Sequence, residues 1–119
     1  MLHGDYWPEN LLWQGPALVA VLDWEDAACG DPLSDLAAAR LELRYLYGAE
    51  IMPRFTAAYA RHAHTPIDTF RLTLWQIYVT AAALKYMGDW GLPQEREARM
   101  RQEAEDTLRE ARAALLEAR

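Results

Sequence analysis

Residues 2–35 read LHGDYWPENLLWQGPALVAVLDWEDAACGDPLSD, and the reading of the whole chain turns on them. Three polar residues recur there. Asp5 lies in His3-Gly4-Asp5, Asn10 follows five residues later, and Asp23 follows thirteen after that in Leu22-Asp23-Trp24-Glu25. Two apolar runs, Leu11-Leu12-Trp13 and Ala17 to Leu22, flank Gln14-Gly15-Pro16, which is the pattern of a strand, a turn and a second strand. A hairpin returns its two ends to each other, so Asn10 and Asp23 can face one point in space. An amide oxygen beside a carboxylate suits Mg²⁺, which takes oxygen ligands and keeps several waters. Asp5 is then placed to orient a hydroxyl or accept its proton. The plainer reading makes Asp5 and Asn10 turn residues around Pro8. It also makes Asp23 a buried carboxylate that pairs with an arginine further along.

The same layout, an Asp followed five residues later by an Asn and then by a metal-binding Asp, occurs in kinase catalytic loops. Here Gly4 stands where the kinase loop has Arg, and the second motif reads Asp23-Trp24-Glu25. With those variations the stretch resembles the aminoglycoside phosphotransferase and choline kinase-like family, whose pattern is HGDxxxxN, an apolar hairpin, (I/L)D(W/F)E and GDPxxDLA. The matching residues are His3-Gly4-Asp5, Asn10, Leu22 to Glu25, and Gly30-Asp31-Pro32-Leu33-Ser34-Asp35-Leu36-Ala37.

The resemblance implies a role for each of these positions. Asp5 is the catalytic residue at the acceptor hydroxyl. Asn10 and Asp23 hold Mg²⁺ against the phosphates of ATP. His3, Asp31 and Asp35 support the site, with His3 buried under the loop and Asp35 reaching back to it from a helix. Glu25 reads equally as a metal or substrate contact and as a structural hydrogen-bonding residue. Trp7 reads as packing. The resemblance further implies a mainly α fold with a small β-hairpin, the C-terminal lobe of a protein kinase-like (α+β) fold. The family's N-terminal lobe, with its nucleotide-covering loop and phosphate-pairing Lys, is absent from this sequence. The 119 residues alone are therefore expected to show little or no kinase activity.

Working outward, Asp31 is placed to cap a helix with Pro32 at its first position, and Gly48 ends it. Ala49 to His62 predicts a second helix, with Ile51, Phe55, Ala58 and Tyr59 on one side. Thr65-Pro66 breaks the chain. Asp68 to Trp90 is apolar on most sides, which predicts a buried central helix with its aromatics in the core. Gln94 to Arg119 predicts a last helix with Met100, Ala104, Leu108, Ala111 and Leu115 on one stripe. Glu95/Arg99, Glu97/Arg101 and Glu105/Arg109 are spaced to pair along it. His62 and His64, two apart, do not share a helix face, so a metal site there is not expected.

The length of 119 residues fits one domain, residues 1–119, with the loop, hairpin and metal motif in 1–31 and a helical part in 32–119. A net charge of −6 and a pI near 5.0 argue against nucleic acid and anionic membranes as partners. The acidity leans toward an amine-bearing substrate. A single cysteine, Cys29, permits no internal disulfide and suggests a reducing compartment. With no signal-peptide pattern and no apolar run of spanning length, the expectation is a cytoplasmic protein.

Two further readings stand beside the kinase lobe. One is a non-catalytic remnant or fragment that forms a homo-oligomer or binds a partner supplying the other lobe, since an exposed apolar face marks an interaction site. The other is a metal-dependent hydrolase using His3, Asp5 and Asp23, although such sites usually have more His ligands.

Overall fold

A computed structural model describes residues 1–118 of the chain. Pro8–Asn10 forms a single 3-10 turn that leads into strand β1, Leu11–Gln14. The chain turns at Gly15, whose φ of 59° is one that an L side chain adopts rarely. It returns as β2, Ala17–Val21. The two strands pair antiparallel, Leu11 opposite Val21 and Gln14 opposite Ala17, with the register shifted between Leu12 and Trp13. Beyond the strands, the Leu22 amide donates to the Asn10 carbonyl at 2.7 Å, so the ladder closes one residue before Asp23. The next segment folds back on the N-terminus, where Leu2 and Ala28 exchange two backbone hydrogen bonds of 2.6 and 3.2 Å.

Four helices follow. Helix α1, Pro32–Tyr47, begins at Asp31, whose Oδ1 accepts from the Leu33 amide at 3.0 Å. It ends at Gly48 with φ 87°. Helix α2 is Ile51–His62, α3 is Thr69–Tyr86, and α4 is Gln94–Glu117. A 3-10 turn over Met87–Asp89 links α3 to the Gly91-Leu92-Pro93 break. The chain is thus mainly helical with a two-stranded hairpin.

Helix α1 lies at the centre and packs on α2, α3 and α4. One buried cluster joins Leu41 and Tyr45 of α1 to Ala83, Met87, Met100 and Ala104. A second joins Leu33, Leu36 and Ala37 to Leu72, with Phe55, Tyr59 and Trp75 against it. Arg44 is buried between α1 and α4. Its Nε donates to Glu103 at 2.7 Å and its Nη1 to Glu110 at 2.8 Å. Those carboxylates provide the pairing that a buried guanidinium requires.

Three expectations change. The predicted buried helix is only half covered. Leu72, Gln76, Thr80 and Ala83 of α3 face the core, whereas Phe70, Leu74 and Tyr78 form a stripe at four-residue steps that stands in water. The reason is that α1 and α4 reach only one side of α3, and apolar composition does not say which side finds neighbours. In α4 the buried positions are Met100, Ala104 and Thr107, the Thr107 hydroxyl donating to the Glu103 carbonyl at 2.7 Å. Of the three predicted pairs on that helix, Glu97–Arg101 forms at 3.5 Å. Arg109 turns instead to Asp106 at 2.7 Å, a shorter reach along the same face. The expected end of this helix at Arg119 lies outside the described residues.

Candidate active site

The loop before β1 is held from beneath by α1. Both oxygens of Asp35 accept backbone hydrogen bonds from it, Oδ2 from the His3 amide at 2.6 Å and Oδ1 from the Gly4 amide at 3.0 Å. Gly4 has φ 87°, and a Cβ there would lie 2.5 Å from the Asp26 carbonyl oxygen. Two segments therefore cross where only glycine fits. His3 is buried beneath them. Its Nδ1 accepts from the Asp5 amide at 3.0 Å, so the ring proton sits on Nε2, 2.7 Å from the Leu22 carbonyl. The Trp24 ring packs edge-on against the imidazole with centroids 4.5 Å apart. Both ring nitrogens are engaged, which leaves His3 neither a metal ligand nor a general base. Among the described residues, no group of three or more His, Cys, Asp or Glu converges on one point. The hydrolase reading therefore has no ligand set.

Asp5 and Asn10 are bound to each other. The Asn10 side-chain amide donates to the Asp5 carbonyl at 2.9 Å and to Asp5 Oδ2 at 3.2 Å. With both amide hydrogens committed to Asp5, Oδ1 is the part of Asn10 left to accept or ligate. Burial holds the Asp5 carboxyl above its ordinary value, and the charges of Asp23 and Asp26 add to this against the lowering hydrogen bond from Asn10. That coupling places Asp23 near Asp5, as the ladder bond between Leu22 and Asn10 requires.

Asp23 differs from expectation. It is exposed, not buried, and pairs with no arginine among the described residues. Its φ of 62° is left-handed, which few non-glycine residues adopt and Asp tolerates better than most. Residues in such conformations gather at sites of function. A free Asn10 Oδ1 and a free Asp23 carboxylate, kept together by the closed hairpin, are hard oxygen donors of the kind Mg²⁺ takes. Glu25 is exposed in the turn after Trp24.

Asp31 does more than cap α1. Its Oδ2 accepts from the Trp75 indole at 2.8 Å and pairs with Arg71 Nε at 2.7 Å, tying the start of α1 to α3. Desolvation pushes this carboxyl up, but the Leu33 amide, the Trp75 indole and Arg71 outweigh it and leave the pKa below its ordinary value.

Beside Asp5 opens a cleft of about 620 Å³, walled by Trp7, Glu9, Glu42, Tyr45, Trp90 and Arg96. Its size is that of a small-molecule site. Burial pushes the Glu42 carboxyl up to about 7, helped by the charges of Asp5 and Glu9 and opposed by Arg96. Trp7 and Trp90 wall this cleft, where the sequence suggested packing. Sequence reasoning missed Glu42, although a signal existed. It lies seven residues after Asp35, two turns along one face of the same helix, so a helix that turns Asp35 toward the loop turns Glu42 the same way.

Comparison with known proteins fits this geometry. The family described as "Phosphotransferase enzyme family" matches residues 1–75 of the chain. Viomycin phosphotransferase of Streptomyces vinaceus is 38% identical over 61 residues, which cover 48% of this chain and 20% of that protein. The match thus spans about a fifth of the curated relative's length. No solved structure gives a significant match.

Proposed function

This chain belongs to the phosphotransferase enzyme family, and on that premise we propose that it carries the metal-holding and acceptor-binding part of an ATP-dependent small-molecule kinase, folded as the C-terminal lobe of a protein kinase-like fold. In the reaction, the acceptor oxygen bonds to the γ-phosphorus of ATP. The bond from that phosphorus to the bridging oxygen breaks, and ADP leaves with the electron pair. Asp5 orients the hydroxyl and receives its proton, a task that its raised pKa favours. Asn10 Oδ1 and the Asp23 carboxylate would hold Mg²⁺, which supplies charge neutralisation at the phosphates. Asp35, His3 and Asp31 set the loop and α1 in place. Glu25 stays a contact to metal or substrate by resemblance alone.

The acceptor is a small molecule bearing a hydroxyl and an amine, of aminoglycoside or amino-alcohol type. Glu9 and Glu42 meet its charge, and Trp7 and Trp90 cover its apolar edges. A reaction that consumes ATP places the protein in the cytoplasm. The observation that carries this reading is the hydrogen-bonded Asp5–Asn10 pair, with Asp23 returned beside it by the hairpin.

The division of labour is testable with Mn²⁺, a paramagnetic stand-in for Mg²⁺, titrated and read by electron paramagnetic resonance. Asn10→Ala and Asp23→Ala should each weaken binding about tenfold or more, while Asp5→Asn binds as the wild type does. An Asp23→Ala variant that binds unchanged, or an Asp5→Asn variant that loses the ion equally, would contradict the assignment.

A second reading has its own observation. The α3 stripe of Phe70, Leu74 and Tyr78 is apolar and open to water, with Tyr78 66% exposed. We infer that this face seats a second copy of the chain. Sedimentation velocity should show concentration-dependent association that the double variant Phe70→Ser, Tyr78→Ser abolishes. A wild-type monomer at every concentration would refute it.

A further inference from the structure

We propose that a second site, separate from the Asp5 cleft, lies between the four helices and takes a small hydroxy-monocarboxylate held by Arg40. The cavity measures about 270 Å³ and is lined by Arg40, Met52, Leu72, Gln76, Thr107 and Glu110, among others. It shares no lining residue with the Asp5 cleft.

Two polar atoms on its lining residues are unsatisfied. The Arg40 Nε is buried without a hydrogen-bond partner. The guanidinium reaches only a neutral group, the Thr56 hydroxyl, 3.0 Å from Nη1. No carboxylate among the described residues pairs with Arg40, whereas Arg44, one turn further along α1, holds two. Burial lowers the Arg40 pKa, and no neighbouring charge offsets it. Arg40 is therefore a largely desolvated cation without its anion, a state that buried charges avoid.

The second atom is Gln76 Oε1, also buried and unpartnered, on a side chain only 3% exposed. Its amide cannot turn to relieve this. Nε2 donates to the Ala37 carbonyl at 3.1 Å and to the Thr80 hydroxyl at 3.4 Å, which fixes Oε1 as an acceptor.

A ligand that satisfies both atoms needs an acceptor anion for Arg40 and a donor for Gln76. It also needs a short apolar body against Met52 and Leu72. A carboxylate with a neighbouring hydroxyl has all three. The volume limits it to a few carbons, since drug-sized ligands need about 300 Å³ or more. The Glu110 carboxylate on the wall, already engaged by Arg44 at 2.8 and 3.4 Å, repels a second negative charge and so selects a monoanion over phosphate.

The experiment is an NMR titration of the ¹⁵N-labelled chain, following the Arg40 Nε–Hε signal and the Gln76 side-chain amide. The probes are 2-hydroxypropanoate, propanoate, inorganic phosphate and chloride. The expected result is a saturable shift of both signals with 2-hydroxypropanoate, about tenfold weaker with propanoate, and none with phosphate or chloride. Arg40→Met should abolish the response. Gln76→Leu should keep carboxylate binding and lose the preference for the hydroxyl. Should either variant fail to fold, the ranking of the four probes on the wild type still decides. An Arg40 signal that none of them moves would mean that water alone fills the cavity, and the proposal fails. Equal shifts with phosphate would reduce it to nonspecific charge and overturn it as well.

Discussion

Glu42 combines a buried carboxyl, a pKa pushed up to about 7 and a place beside Asp5, and its titration carries a signed consequence. Its folded value lies above the 4.5 of the free side chain, so the unfolded chain gives up this proton first as pH rises. The stability of the neutral form is complete below about pH 4.5 and is lost as pH climbs through about 7. Glu42→Gln cannot ionise. Denaturant unfolding across this window should show a flatter pH dependence for the variant, which above pH 7 should exceed the wild type by roughly 3 kcal/mol. A wild-type profile equally flat would show that Glu42 ionises freely in the folded chain. Asp31 acts in a different window. Its lowered pKa gives stability that is present above the ordinary carboxylate range and lost as pH falls through the folded value.

At the level of elements, the catalytic loop depends on a crossing. Gly4 passes over Asp26 with no room for a side chain, and Asp35 holds both adjoining amides. Gly4→Ala adds a Cβ 2.5 Å from a backbone oxygen at a positive φ, so the loop must shift. The expected cost is about 1–3 kcal/mol in urea unfolding, with faster hydrogen exchange at the His3 and Gly4 amides. Unchanged stability and exchange would remove the crossing from the account. Elements governed by local chemistry were legible in the sequence. Asp31-Pro32 starts α1 and Gly48 ends it because a cap needs only its own few residues. The hairpin followed from its turn residues and alternate runs. The exposed side of α3 was not legible, because periodicity shows that a helix is apolar without showing what packs on it. The pairing of Arg109 with Asp106 was missed for a related reason, since spacing allows several partners and rotamers choose one.

At the scale of the molecule, legibility follows sequence distance. The residues at the site's centre, Asp5, Asn10 and Asp23, lie within one stretch whose spacing is set by a hairpin, so one chain segment carries them all. The cleft beside them draws Glu42 from α1, Trp90 from the turn after α3 and Arg96 from α4, and only the packing of the helices brings those together. The exposure of Asp23 follows from the same packing, since none of the four helices covers the end of the hairpin. No helix of the chain is long and apolar enough to cross a membrane. The central claim is that this fold presents an oxygen site for metal-bound nucleotide phosphates, formed by Asn10 and Asp23 beside Asp5. The most direct test is calorimetric titration of the folded chain with ATP, with and without Mg²⁺, alongside Asp23→Ala. The account predicts saturable heat that requires both ATP and Mg²⁺ and disappears in the variant. A folded wild-type chain that gives no heat, or a variant that binds as tightly, would contradict it.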